Sequence, residues 1–301
     1  MMGPQLQNPL RRAQHVLLVG GGDVAFRALA FLPRTARVSA FVREGPQVAR
    51  LRSAGVRVIV GDLDQSHSLD RLAGLADGVI YSAPPSSSGD SDPRLRRVLS
   101  VLSRGMLPRT FVYISTSGVY GDHAGAEVAE TAHLRTASPR ARRRVAAERL
   151  VRHWGRGNGV TTPILRAPGI YAADRLPLAR LRAGTPAIAR EEDSFSNHIH
   201  ADDLALACAL ALFRGAAGRA FNVCDEQPLR MGDYFDCVAD HFGLPRPQRL
   251  SREAVRTRVE PMLWSFMAES RRLSNQRVRE ELRLCLRYPT VADFLQTLDS
   301  V

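Results

Sequence analysis

Lysine is absent from the 301 residues: all 42 basic side chains are arginine, set against 30 acidic ones for a net charge of +12. The absence excludes whole chemistries. No Schiff-base lysine, no lysine general base and no phosphate-gripping lysine of a Walker loop exists in this chain, whatever its fold. Cysteine is scarce too: Cys208, Cys224, Cys237 and Cys285 stand far apart without C-x-x-C spacing. That argues against a zinc knuckle or a redox dithiol, so no metal site is expected, and it agrees with a reducing, cytoplasmic setting. Long apolar runs are missing. The longest, Leu204 to Phe213, falls well short of the roughly 18 residues of a membrane span and reads as a buried helix, so no membrane partner is expected. The arginines are spread along the whole chain rather than gathered in a basic tail. Compositional bias therefore explains the pI near 10.7 better than nucleic-acid binding does.

What is present points to a globular chain, with 45% hydrophobic and 24% charged residues. Residues 1–14 are polar and proline-containing and read as a disordered leader. Beyond them, short β-branched runs alternate with helical patterns, the signature of βαβ units and a parallel sheet. Strands are expected at His15 to Val19, Arg37 to Val42, Val56 to Val60, Gly78 to Tyr81, Thr110 to Ser115, Thr161 to Leu165 and Ala220 to Val223. Helices are expected over 24–32, 46–54, 67–73, 93–104, 139–153 and 202–213, with a mostly helical tail from 230. The fold class is α/β: a Rossmann-type doubly wound parallel sheet over 15–168, then a smaller, mostly helical substrate-side appendage over 169–301, interleaved with the sheet around 195–225.

Val16 to Ala25 reads V-L-L-V-G-G-G-D-V-A and satisfies G-x-G-x-x-G/A with Gly20, Gly22 and Ala25. Following an apolar strand and opening a helix, the pattern acquires a mechanism: a tight turn at Gly20, close backbone approach to a pyrophosphate at Gly22, and tight helix packing at Ala25, with Asp23 and Val24 beginning the helix. After the second strand, an NAD site would place a carboxylate on the adenosine ribose, whereas Arg43 stands here and favours the 2′-phosphate of NADP; Glu44 beside it offers the alternative ribose contact. The expected cofactor is therefore NADP, with NAD the second choice. Asp62 and Leu63 follow the third strand and Ala83 and Pro84 the fourth, where small residues let a dinucleotide cross the strand ends.

With Ile114 to Gly121 (I-S-T-S-G-V-Y-G), Leu165 to Tyr171 (L-R-A-P-G-I-Y), His198 to Ala205 (H-I-H-A-D-D-L-A) and Ala220 to Pro228 (A-F-N-V-C-D-E-Q-P), these features resemble the extended short-chain dehydrogenase/reductase superfamily, the NAD-dependent epimerase/dehydratase group. The G-G-G-D-V loop, the A-P-P turn and the segment S-N-Q-R-V-R-E-E-L with the later Y-P-T are similar to its atypical YeeZ-like branch. The resemblance implies further dinucleotide contacts from Ser115, Pro168, Gly169 and Arg144, and a hydroxyl for catalysis from Thr116.

The same resemblance calls for a Y-x-x-x-K pair on the helix after the fifth strand. Arg140 and Arg144 occupy both places, and a guanidinium cannot exchange protons near neutral pH. A positioned general acid or base contributes about 10²- to 10⁴-fold, so a different donor is required if hydride transfer occurs. His198 and Tyr171 are the candidates, with Tyr120 and His123 behind them; for His198 a structural role competes with a catalytic one, and Tyr120 reads first as a packing and hydrogen-bonding residue. His123, in a glycine-rich loop, reads as solvated.

The expected function is thus an NAD(P)-binding protein of the epimerase/dehydratase type, a reductase or epimerase with a non-standard proton donor acting on a small, anionic substrate that Arg140 could neutralise. A dinucleotide-binding sensor without turnover, similar to the NmrA-like proteins, is the alternative, and a nucleic-acid-associated protein the weaker one. A homodimer through residues 139–153, as the resemblance implies, is opposed by the arginines that crowd that helix.

Overall fold

The computed structural model describes residues 14–136 and 138–298; the expected leader lies outside the described residues except for Gln14. The first strand shows why the sheet is covered on both faces. In β1 (His15–Val19), Val16 and Leu18 enter one hydrophobic core and Leu17 and Val19 the other, so every second side chain is buried on each side. The chain continues through α1 (Asp23–Ala28), β2 (Arg37–Val42), α2 (Pro46–Ser53), β3 (Arg57–Val60), β4 (Gly78–Tyr81), α3 (Pro93–Leu102) and β5 (Thr110–Thr116). Residues suited to helix starts stand where helices begin: Pro93 takes the first position of α3, and the Asp92 carboxylate accepts from the Leu95 amide at 3.1 Å.

The second half supplies β6 (Glu127–Val128), α4 (Pro139–Asn158), β7 (Ile164–Ala167), β8 (Gly169–Tyr171), α5 (Leu178–Arg182), β9 (Ala187–Ile188), β10 (Phe195–Ser196), β11 (His198–His200), α6 (Ala201–Arg214) and β12 (Ala220–Asn222). Seven strands form one parallel sheet in the order β12-β7-β5-β4-β1-β2-β3. The winding reverses between β1 and β4, which opens a crevice beyond their carboxyl ends. The fold is the doubly wound α/β architecture that the strand and helix alternation predicts. The tail runs through β13 (Leu229–Arg230), α7 (Met231–His241), β14 (Arg249–Leu250), α8 (Arg252–Arg256), α9 (Pro261–Met267), β15 (Arg272–Leu273), α10 (Gln276–Glu281) and α11 (Val291–Leu298). It packs α7 and α11 with Tyr171 and Leu181 into a separate small core. No helix among the described residues is long and apolar enough to cross a membrane.

Several local expectations change. The strand predicted from Thr161 begins at Ile164, because Pro163 has no N–H for the ladder and Thr161 makes only an isolated bridge to Thr110. The segment predicted as an α-helix over 67–73 is a 3-10 helix, Ser66–Leu72; the Ser68 hydroxyl donates to the Asp62 carbonyl at 2.6 Å, one of the local bonds that compete with α-helical pairing. The helix predicted over 24–32 is α only to Ala28 and tightens to 3-10 over Leu29–Phe31.

At the other end of the size scale, α4 runs on to Asn158, where Gly159 at φ 67° ends it in the left-handed conformation. It is fixed to the sheet by a buried polar network. Arg166 of β7 donates to both oxygens of Glu148 of α4, at 3.1 Å from Nε and 2.8 Å from Nη2. The Ser115 hydroxyl donates to the same carboxylate at 2.7 Å. From Nη1, Arg166 also donates to the Tyr120 hydroxyl at 2.8 Å, which donates in turn to Asn222 Oδ1 of β12 at 2.6 Å. Burial raises the pKa of Glu148, but the Arg166 hydrogen bonds and charge, the Ser115 hydroxyl and Arg152 outweigh it and hold the carboxyl below the usual range. The network ties β5, β7, β12 and α4 into one frame beneath the crevice.

Candidate functional site

The glycine turn after β1 lies where the winding reverses. Gly20 has φ +103°, and a Cβ there would come within 2.8 Å of Ser82 Oγ and 3.0 Å of the Ala83 amide nitrogen. Only glycine fits, because the turn is both left-handed and pressed against the end of β4. Gly22 is different. Its φ is −68° and a Cβ would meet no protein atom within 4 Å, so its missing side chain leaves open space instead of relieving a clash. Ala25 is buried against the sheet as its place in the motif predicts.

Two cavities flank this turn. One of about 310 Å³ is bordered by Arg43, Gln47, Asp62, Leu63, Ala83 and Pro84 as well as by the three glycines. Arg43 is exposed and forms no ion pair among the described residues. The Asp62 carboxylate accepts from the Asp64 amide at 2.9 Å in a tight local turn. Arg94 also borders this cavity, its Nε donating to Asp64 at 3.0 Å; nothing distinguishes Arg94 in the sequence from the other 41 arginines.

The other cavity, about 510 Å³, runs past Gly22, Asp23, Val24 and Ala25 to Ser115, Thr116, Arg144 and Pro168. The Asp23 carboxylate, which would repel a phosphate, lies 2.7 Å from Arg27, 3.3 Å from Arg175 and 3.9 Å from Arg50. These three guanidiniums come from three separate segments and offset the Asp23 charge, and Arg27 is shared with Asp202 at 2.7 Å. Arg144 donates from Nη1 to the Tyr113 hydroxyl at 2.9 Å and to the Ile114 carbonyl at 3.0 Å, which pins it at the end of β5. Ser115 borders the same cavity, yet its hydroxyl is committed to Glu148.

A third cavity of about 490 Å³ adjoins through Thr116, Arg140, Pro168, Ile170 and Arg175, which border both spaces. Thr116 Oγ1 accepts from the Gly118 amide at 3.2 Å. Gly169, His198 and Tyr171 also line this space. His198 is buried, its ring stacked on Tyr234 at 4.1 Å, with Nε2 3.3 Å from Ser196 Oγ. Burial pulls its pKa down to about 4, so the ring is neutral at physiological pH. The Tyr171 phenol, 1% exposed and without a hydrogen-bond partner among the described residues, is pushed well above its usual pKa by burial and by Asp225. One is therefore a neutral base and the other a locked acid. Tyr120 and His123 border none of these three cavities. Tyr120 is held by Arg166 and Asn222; His123 packs edge-on against it with Nε2 buried, which corrects the solvated reading. Among the described residues no cluster of His, Cys, Asp and Glu able to hold a metal occurs.

The glycine turn, the cavities along the strand ends and the small core beside them match known architecture. A functionally unknown conserved protein of Silicibacter pomeroyi has the same fold over 95% of this chain and 98% of its own, with 28% identity and a TM-score of 0.79. A double mutant of the dTDP-glucose 4,6-dehydratase DesIV of Streptomyces venezuelae, solved with NAD, superposes over 93% and 95% of the two chains at 18% identity and a TM-score of 0.75. The UDP-glucuronic acid 4-epimerase of Bacillus cereus, also solved with NAD, does so over 94% and 99% at 16% identity and a TM-score of 0.71. A trifunctional UDP-glucose 4,6-dehydratase, epimerase and reductase of Arabidopsis thaliana shares 24% identity over 147 residues, 45% of this chain but only 22% of its own. The model of the NAD dependent epimerase/dehydratase family matches residues 22–224, from the open glycine of the turn to two residues past the last strand of the sheet. On that match and that architecture, the chain belongs to the NAD-dependent epimerase/dehydratase family.

Proposed function

We propose that this chain binds NADP, and NAD less tightly, along the carboxyl ends of β2, β1, β4 and β5, and exchanges hydride between its nicotinamide and a small anionic substrate in the adjoining cavity. The observation that carries the reading is the space at Gly22, open toward a cavity that continues to Arg144 and Thr116. Adenosine would lie by Asp62 and Leu63, the 2′-phosphate by Arg43, the pyrophosphate by Gly22, and the nicotinamide by Pro168 and Gly169. The cofactor supplies the hydride.

The chain's own contribution differs from that of relatives with a tyrosine and a lysine. Arg140 and Arg144 offer fixed positive charge where oxygen becomes an alkoxide, and Thr116 a hydroxyl beside it. The proton then comes from water in the open cavity instead of from a phenol. Preorganised charge of this kind lowers a barrier without moving a proton itself.

Two measurements test the cofactor assignment. Gly22→Ala is expected to fold as the parent does, since its φ is ordinary and its Cβ meets nothing. It should nonetheless weaken NADPH in calorimetry by about 10- to 100-fold, the loss of one charge-assisted backbone contact. A parent protein that takes up no pyridine nucleotide at millimolar concentration and low salt overturns the reading. Arg43→Asp should shift the ratio of NADPH to NADH affinity toward NADH by about 10- to 100-fold, the value of a charge-assisted hydrogen bond; an unchanged ratio removes Arg43 from the site.

A further inference from the structure

The cavity next to the nicotinamide end carries more positive charge than its own carboxylates offset. Four guanidiniums line it, those of Arg140, Arg175, Arg180 and Arg271, against the single carboxylate of Glu269. Two of the four are satisfied: Arg175 lies 3.3 Å from Asp23, and Arg271 is 2.8 Å from Glu269 and donates to the Gly121 carbonyl at 2.8 Å.

Arg140 and Arg180 have no ion pair and no side-chain hydrogen bond among the described residues. Arg140 lies with its guanidinium carbon 4.4 Å from the centre of the Phe266 ring, at the boundary with the dinucleotide cavity. Arg140 is partly desolvated, and Arg144, Arg143 and Arg271 act on it with like charge against the opposite charge of Glu269, so an anion placed there relieves repulsion as well as gaining contacts. Arg180 stands on α5, at another wall of the same cavity, near Tyr234. Other stretches of the lining are apolar, with Phe195, Met231, Phe235 and Leu263.

We propose that this cavity takes a small dianion, one acidic group held by Arg140 beside the reacting carbon and the other by Arg180, with an apolar body against the aromatic rings. The volume of about 490 Å³ is that of an ordinary small-molecule site. The inference rests on the proposed function for the meaning of "beside the reacting carbon"; the charge pattern itself does not.

The experiment is calorimetry on the full chain saturated with NADP⁺, with probes that carry no alcohol, aldehyde or ketone and therefore cannot turn over. The probes are isophthalate and glutarate as dicarboxylates, and benzoate and butyrate as their single-acid counterparts. Each dicarboxylate is expected to bind at least about tenfold more tightly than its counterpart, the worth of one added charge-assisted contact. Arg140→Gln and Arg180→Gln should each erase that advantage, and Arg96→Gln, exposed on α3, should leave it intact.

Equal affinity for one and two acidic groups overturns the proposal. So does a loss on Arg140→Gln that falls on NADP⁺ affinity while dicarboxylate binding persists, since Arg140 would then serve the cofactor. A protein that ignores NADP⁺ yet binds isophthalate through both arginines would sink the cofactor reading and leave the dianion site standing.

Discussion

Glu148→Ala is expected to destabilise the fold by about 3–5 kcal/mol, the cost of leaving a buried cation without its partner. Arg166, 3% exposed, would keep its Tyr120 and Glu130 contacts but lose both carboxylate bonds, and Ser115 would lose its acceptor. Arg152, half-buried at 3.2 Å from the same carboxylate, cannot compensate because it is itself a cation. The measurement is a urea titration of parent and variant, compared at constant slope. Glu148→Leu combined with Arg166→Met should recover much of the loss, since replacing both members of a buried pair with apolar residues costs far less than removing one. A single-variant cost under about 1 kcal/mol, the worth of an exposed ion pair, would show that the network does not carry the frame.

The second large effect depends on pH. Burial, with Asp203 and Glu226 adding to it against the Gln227 amide, pushes Asp225 up to about 8. The same carboxyl in an unfolded chain titrates near 3.9. Below that value it is protonated in both states and its share of stability is fully present. As pH rises toward 8 the unfolded chain releases the proton and the folded chain retains it, so stability falls by about 1.4 kcal/mol per pH unit.

His198 and His200 act in the opposite direction. Burial holds both at about 4, against an ordinary 6.5. Their contribution is present above 6.5 and is lost as pH falls toward 4. With two histidines losing stability on the acid side against one aspartate gaining it, these three groups together place the maximum near pH 6.5. Unfolding free energies for the parent should drop by about 1 kcal/mol from pH 6.5 to 8, the loss at Asp225 being partly offset while the two histidines of the unfolded chain finish releasing their protons. Asp225→Asn should remove that drop and be the more stable protein at pH 8. A parent that is flat between pH 6.5 and 8 would mean that Asp225 is ionised and solvated.

The fold was largely legible because its signals are local. β1, β2 and β4 fall at the bounds that their apolar runs predict, and the glycine turn sits between strand and helix as its spacing requires. The errors came where one residue overrides a pattern: Pro163 delays β7, and Ser68 holds its segment in 3-10 geometry. The site was legible in part. Gly20 and Gly22 could be assigned separate roles from their spacing, but only the geometry shows that one is confined and the other open. Arg94, Arg175, Arg180 and Arg271 went unnoticed, since in a chain with 42 arginines no single one stands out.

The amino-acid order alone settled that the chain winds strand and helix alternately, that a glycine turn opens its first helix, and that no lysine is available to any proton relay. The first two of these depend on neighbours a few positions apart. Only the tertiary structure decided that His198 is neutral, that Tyr171 keeps its proton, and which guanidiniums are paired. Those properties are set by desolvation and by charges brought together from segments more than a hundred residues apart, as when Arg175 meets Asp23.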